Sequence, residues 1–305
     1  MTNKHLLSIK DLSRDEIEEI FLTSAKIKAD PESYRTSLQG KTLGMIFQKS
    51  STRTRVSFEV GMFQLGGHAL YLGAGDMQLG RGETVPDTAR VLSRYVDGIM
   101  ARTFAHQDVL DLAAFGTVPV INGLTDLLHP CQVLADFFTI REKFGAGAAV
   151  TMAYMGDGNN MAHSLMYGAA KLGADIRVIT PPGYEPKPEI VASAREDAAA
   201  SGCEIMVTND PGQGLPGANV VYTDVWASMG QEKEYKERKR LFADYQVNLP
   251  AFEQAAPDAI FMHCLPAHRG DEVTDDVADH PRSVIFDEAE NRLHVQKAVM
   301  FLLMG

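Results

Sequence analysis

The chain has 305 residues, about twice the usual single-domain length, so two lobes with a cleft are expected rather than one core. Hydrophobic residues make up 45% and charged residues 23%, which excludes a disordered or fibrous chain. The 40 acidic and 29 basic residues leave a net charge of -11, which repels nucleic acid and anionic lipid, so an anionic ligand needs a local cluster of positive groups.

Ser13-Arg14-Asp15-Glu16 has capping-box spacing ahead of Ile17, Ile20, Phe21 and Ala25, which predicts a helix over 14–29. Thr42 to Phe47 reads as a strand, and Val56, Val60 and Phe63 put a helix after the polar stretch 48–51. Strands are expected at 68–73, 98–102 and 118–122, with helices near 86–96, 106–115 and 129–144. That alternation means a parallel α/β sheet. Phe144-Gly145-Ala146-Gly147 reads as the hinge, and a second series follows, with strands at 149–155, 176–180, 205–208, 220–223 and 259–263. The fold class is therefore α/β with two Rossmann-like lobes of parallel sheet, 1–144 and 145–286. A final helix over 287–303, within a segment 287–305, is expected to pack back on the first lobe. Two long non-helical stretches, 74–85 and 264–282, have the length of functional loops.

No run of 18 apolar residues occurs, and the first twenty residues lack an export signal's apolar core, so neither a membrane span nor export is expected. Three scattered cysteines, Cys131, Cys203 and Cys264, make no disulfide framework and fit a reducing cytoplasm.

Ser51-Thr52-Arg53-Thr54-Arg55 stands where a strand ends and a helix begins. Unpartnered backbone N–H groups and the helix dipole favour an anion there, and Arg53 offers a two-pronged guanidinium. The plainer reading is a helix cap followed by solvated arginines. The GxxxxGK[ST] spacing of a P-loop is absent. Arg102 follows another strand, and His129-Pro130-Cys131-Gln132 opens a helix after a third. Strand carboxyl ends are where open α/β sheets bind ligands, although singly Arg102 reads as a salt-bridge partner and His129-Pro130 as a helix start.

Gly156-Asp157-Gly158-Asn159-Asn160 invites a dinucleotide reading, but Met161 replaces the third glycine and no acidic residue ends the next strand. A nicotinamide cofactor is not expected. Asn160 reads as a ligand hydrogen-bonder or a cap, and Asp224 as an anchor for a ligand ammonium or an Asp-capped turn. His263-Cys264 suggests a nucleophile pair, yet neighbours in an extended chain point to opposite faces. With His268 they lack zinc-site spacing, so no metal is expected. Glu288 and Glu290 sit favourably with the dipole of the last helix, and Arg292 either pairs with them or faces the cleft.

Taken together, Ser51-Thr52-Arg53-Thr54-Arg55, Gln78-Leu79-Gly80-Arg81-Gly82-Glu83, Arg102, His129-Pro130-Cys131-Gln132, Asp224 with Ser228-Met229-Gly230, and His263-Cys264-Leu265-Pro266 resemble, in order and over the full length, the carbamoyltransferase family. The HCLP and SMG forms resemble its ornithine-using members rather than its aspartate-using ones. The resemblance implies that carbamoyl phosphate is held by Ser51, Thr52, Arg53, Thr54, Gln78, Arg102, His129, Pro130, Cys131, Gln132, Cys264, Leu265 and Arg292. It implies Arg102, His129 and Cys264 as catalytic residues. Ornithine is implied to bind Asn160, Asp224, Ser228 and Met229. It further implies a homotrimer with interface active sites, Gln78 coming from the neighbouring chain, and no cofactor. The alternatives are a carbamoyltransferase for putrescine, aspartate or acylated ornithine, an NAD-dependent dehydrogenase, and a catalytically silent paralogue.

Overall fold

The computed structural model describes residues 1–75, 77, 82–227 and 234–305. Its contacts divide the chain into two compact units, Met1–Phe138 with Glu290–Gly305, and Thr139–Ala289.

In the first unit, α1 (Arg14–Ala29) starts at a complete capping box, Ser13 accepting from Glu16 N while the Glu16 side chain reaches back to Ser13 N. Glu16 also accepts from Thr2 N, Thr2 Oγ1 and Asn3 N at 2.9 Å and from Asn3 Nδ2 at 2.8 Å. Burial alone would raise its pKa, but the N–H groups of Asn3 and Ser13 and the side chains of Thr2 and Asn3 bring it down to about 2. A depressed carboxyl stabilises the fold above its unfolded value of about 4.3, and that stability is lost as pH falls towards 2. Glu16→Ala is therefore expected to cost about 2 kcal/mol at pH 7 and clearly less at pH 3, measured by denaturant unfolding at both pH values.

The series continues as β1 (Thr42–Phe47), α2 (Thr52–Gln64), β2 (His68–Gly73), α3 (Val85–Leu92), β3 (Gly98–Arg102), α4 (His106–Phe115), β4 (Val120–Leu124) and α5 (Pro130–Phe144). The sheet order is β2-β1-β3-β4, all pairs parallel. The chain moves from β1 to β2 on one side and returns to β3 on the other, so the topological switch lies between β1 and β3. In open α/β sheets the ligand crevice forms at the carboxyl ends of such a strand pair. Phe47 pairs with Arg102, and Gln48 N donates to Arg102 O at 2.9 Å, which brings Arg102 beside the turn into α2.

The second unit carries β5 (Thr151–Met155), α6 (Asn160–Leu172), β6 (Asp175–Ile179), α7 (Pro188–Ser201), β7 (Ile205–Thr208), α8 (Pro211–Gly214), β8 (Val220–Thr223), α9 (Tyr235–Leu241), α10 (Leu249–Phe252), β9 (Ile260–His263) and α11 (Asp275–Ala278). Its parallel sheet runs β7-β6-β5-β8-β9, with the switch between β5 and β8. Strands β3, β8 and β9 are buried at every residue, as apolar runs covered on both faces should be. Met155, Ile179, Val221 and Phe261 belong to one core cluster here, and Ile46, Ile99, Val109 and Val120 to another in the first unit.

The last helix, α12 (Ile285–Met304), belongs to the first unit from Glu290 onward. It begins at Ile285, two residues before the expected start. The stretch 264–282, expected to lack helix, contains the single turn α11. Of the stretch 74–85, the part at 76 and 78–81 lies outside the described residues, and Thr84 caps α3, its side chain accepting from Asp87 N.

Candidate active site

The first cluster is built on the switch point of the first unit. Ser51 caps α2, its Oγ accepting from Thr54 N at 3.3 Å and donating to Thr54 Oγ1 at 3.0 Å. Thr54, only 1% exposed, is the hub. Its Oγ1 also receives Arg292 Nη2 at 2.9 Å and Arg102 Nη1 at 3.5 Å. Arg53 places a buried Nε in the same turn with no hydrogen bond in the structure, and Thr52 is exposed. Ser51, Thr54, Arg102 and Arg292 thus meet around one oxygen.

Electrostatics shows how concentrated the positive charge is. His129 is buried, and burial together with Arg292 and Arg102 holds its pKa well below 6.5, so the imidazole is neutral. Lys49 is pushed below the ordinary lysine range by burial and then by Arg102. A helix start and mutually repelling cations favour an anion in this place.

Pro130 stands at the first position of α5, directly after His129. Gln132 Nε2 donates to Asp136 Oδ1 at 2.7 Å, which makes Oε1 the accepting end of the amide facing elsewhere. The Cys131 thiol is engaged within the fold. It donates to the Asn122 carbonyl at 3.3 Å, and burial lifts its pKa to about 12, so the sulfur is inert packing.

The second cluster lies at the β5/β8 switch. Asn159, not Asn160, caps α6, and its Nδ2 donates to Asp224 Oδ2 at 2.9 Å. Asn160 is the first residue of α6. Asp224 Oδ1 accepts from Val225 N at 2.8 Å and from the Cys264 thiol at 3.0 Å. Cys264 therefore pairs with a carboxylate.

His263 and Cys264 were expected on opposite faces, yet a ring nitrogen and the sulfur lie within 4.8 Å, together with an Asp224 oxygen. The reason is that β9 ends at His263 and the chain turns through Leu265, which has φ 56°. Both ring nitrogens are already used. Leu265 N donates to Nδ1 at 2.8 Å, which leaves the ring proton on Nε2, facing Glu272 Oε1 at 3.1 Å. The trio is a hydrogen-bonded cluster rather than a set of metal ligands.

Several polar residues of this cluster escape sequence reasoning. Glu288 is fully buried, with Oε1 accepting from Tyr222 OH at 3.2 Å and Oε2 from His263 N at 2.9 Å. The dipole reading assigned it no such tie. Arg238 Nη1 donates to Asp157 Oδ2 at 2.8 Å and to the Trp226 carbonyl at 2.9 Å, while Nε donates to Glu234 Oε2 at 3.0 Å. Burial outweighs Arg238 at Asp157 and raises that carboxyl to about 6. Gln78, Ser228 and Met229 lie outside the described residues.

Gly158 answers the dinucleotide reading. A Cβ there would lie 2.2 Å from Pro186 N and 2.4 Å from the Glu185 carbonyl carbon, and Gly158 N donates to Tyr184 O at 2.8 Å. The close backbone approach that such a glycine offers a pyrophosphate is taken by the chain's own 184–186 segment. Gly158→Ala is expected to destabilise the protein by about 3 kcal/mol, read from thermal or urea unfolding.

A known pair of domains matches the chain in sequence order, with 290–303 falling in the second match although it packs in the first unit. A model of the aspartate/ornithine carbamoyltransferase carbamoyl-P binding domain matches residues 4–142, and one of the Asp/Orn binding domain matches residues 148–303. The chain belongs to the aspartate/ornithine carbamoyltransferase family. It is 58% identical over 307 aligned positions to the ornithine carbamoyltransferase of Thermococcus kodakarensis, covering 100% of this chain and 98% of the relative. It is similarly 57% identical to the Pyrococcus furiosus protein named anabolic ornithine carbamoyltransferase, covering 100% and 98% of the two chains. The solved ornithine carbamoyltransferase from Pyrococcus furiosus superimposes with a TM-score of 0.95 at 58% identity, covering 99% and 97%. The anabolic enzyme of Campylobacter jejuni does so with 0.93 at 43% identity, covering 99% of each chain.

Proposed function

We infer that the chain transfers the carbamoyl group of carbamoyl phosphate to the side-chain amine of L-ornithine, giving L-citrulline and phosphate. The observation that carries the reading is the meeting of Ser51, Arg102 and Arg292 on Thr54 Oγ1, with His129 kept neutral by burial and then by the two arginines. The ornithine assignment draws on relatives 57–58% identical over the whole chain that carry that name.

In this reading residues 1–144 with 287–305 form the carbamoyl-phosphate lobe and 145–286 the ornithine lobe. Ser51, Thr52, Arg53, Thr54, Gln78 and Arg102 hold the phosphate, with Arg292 completing the anion pocket. Arg102, His129 and Thr54 donate to the carbamoyl oxygen, and Gln132 accepts from the carbamoyl amine. Asn160, Asp224, Ser228 and Met229 hold the α-amino and α-carboxylate groups, while Cys264 and Leu265 line the reacting end of the side chain.

The amine nitrogen attacks the carbamoyl carbon and the C=O electron pair moves onto oxygen. Arg102 and neutral His129 donate to that oxyanion, each such donor being worth roughly 3–4 kcal/mol. The carbonyl re-forms, the carbon–oxygen bond to phosphate breaks, and phosphate leaves with the bonding pair and takes the proton from nitrogen. None of these steps calls for an enzyme nucleophile.

We further propose a homotrimer in which Gln78 acts on the neighbouring chain's site. The exposed Val56 and Phe63 on α2 and Leu70 on edge strand β2 offer an apolar surface for such contact. A cytoplasmic location and the biosynthetic direction towards arginine complete the proposal. No helix of the described residues is long and apolar enough to cross a membrane, and the Pyrococcus furiosus relative is named anabolic.

Incubation with carbamoyl phosphate and L-ornithine tests the activity. Citrulline and phosphate should appear in equal amounts, and phosphate release without citrulline would refute the reading.

A further inference from the structure

We propose that Asn159 is a positioning residue for the amino-acid substrate, aiming the Asp224 carboxylate at the substrate's α-ammonium. The inference rests on the reading of Asp224 as the ammonium anchor. Asn159 Oδ1 accepts from Met161 N at 2.9 Å and Ala162 N at 3.4 Å, and the Tyr154 hydroxyl lies 3.3 Å away. Backbone N–H groups only donate, so these contacts fix which end of the amide is oxygen and turn Nδ2 towards Asp224.

Asp224 is 6% exposed, and its carboxylate has about four acceptor directions. Val225 N and the Cys264 thiol take the two on Oδ1, and Asn159 Nδ2 takes one on Oδ2. The remaining direction on Oδ2 is therefore set by Asn159. One amide thus joins the end of β5, the start of α6 and the end of β8, at the switch point where open sheets place ligands.

Two variants separate this role from helix capping. Asn159→Ser keeps an N-cap oxygen of equal quality but is too short to donate to Asp224. With carbamoyl phosphate saturating, the KM for ornithine should rise at least tenfold. The KM for carbamoyl phosphate should stay within twofold, and the thermal midpoint within a few degrees.

Asn159→Asp supplies the rescue. Its acid form donates an O–H to Asp224 as the amide does, whereas its ionised form repels that carboxylate. The groups around the pair are Asp157 with Arg238, Tyr154, Cys264, and His263 with its partner Glu272. Facing carboxylates hold a shared proton above the usual carboxylate range, and Asp157 adds to this. The ratio of variant to wild-type KM for ornithine should therefore fall as pH is lowered from 8.5 to 6. The inference is overturned if Asn159→Ser leaves the ornithine KM within twofold of wild type, if both KM values rise together, or if the Asn159→Asp ratio is flat with pH. Because each variant is read against wild type, a wild type that makes no citrulline would instead overturn the assigned function.

Discussion

Replacing Arg102 with methionine is expected to lower kcat by roughly 10²–10³, the usual loss when one donor to a developing oxyanion is removed. The KM for carbamoyl phosphate should rise as well, because the same guanidinium faces the anion site through Thr54 Oγ1. Methionine occupies much of the arginine's apolar volume, so the substitution leaves little cavity. Stability should change little, since the charge removed is one that pushes down the pKa values of both His129 and Lys49. The expected pattern is a thermal midpoint within a few degrees of wild type and an unchanged KM for ornithine. Turnover within threefold of wild type would remove Arg102 from the mechanism.

The second large effect is on pH. Ornithine's side-chain amine resembles lysine's, with a pKa of about 10.4, so only roughly one molecule per thousand or fewer is neutral at pH 7, a handicap of about 4–5 kcal/mol. At low ornithine and saturating carbamoyl phosphate, the rate should climb about tenfold per pH unit from 7 towards 9. Neither His129 nor Asp157 produces this slope. His129 is neutral throughout that range because burial and two arginines hold its pKa well below 6.5, and Asp157, at about 6, is already largely ionised at pH 7. A flat profile with chemistry limiting the rate would mean that the amine is not delivered neutral from solution.

Much of this molecule is legible from its residues because a parallel α/β fold repeats one simple unit. Strand β1 and helix α1 match their expected bounds, since Thr42 to Phe47 is a clean apolar run and Ser13 with Glu16 forms a complete capping box. Strand β4 starts at Val120 rather than 118, beyond Pro119, and α3 stops at Leu92 rather than 96. In the candidate site, strand order puts Ser51, Thr54 and Arg102 at one switch point, whereas Arg292 reaches Thr54 from α12, a tertiary meeting with no local spacing. The second layer was not legible. Glu272 behind His263, Glu288 beneath β8 and β9, and Arg238 across Asp157 and Trp226 are tertiary pairings with no local spacing. Asn159 differs, for a local signal existed. Of two adjacent asparagines after a strand, the one before the first helical residue takes the cap, and that register would have separated it from Asn160.

Substrate choice tests the central claim most directly. Steady-state kcat/KM should be measured with carbamoyl phosphate and, in turn, L-ornithine, L-aspartate, putrescine and N-acetyl-ornithine. Ornithine should exceed each of the others by at least a hundredfold, since putrescine lacks the groups that Asp224 and its neighbours would hold, aspartate lacks the side-chain amine, and acetylation removes the ammonium. A higher kcat/KM for any of the other three would contradict the account.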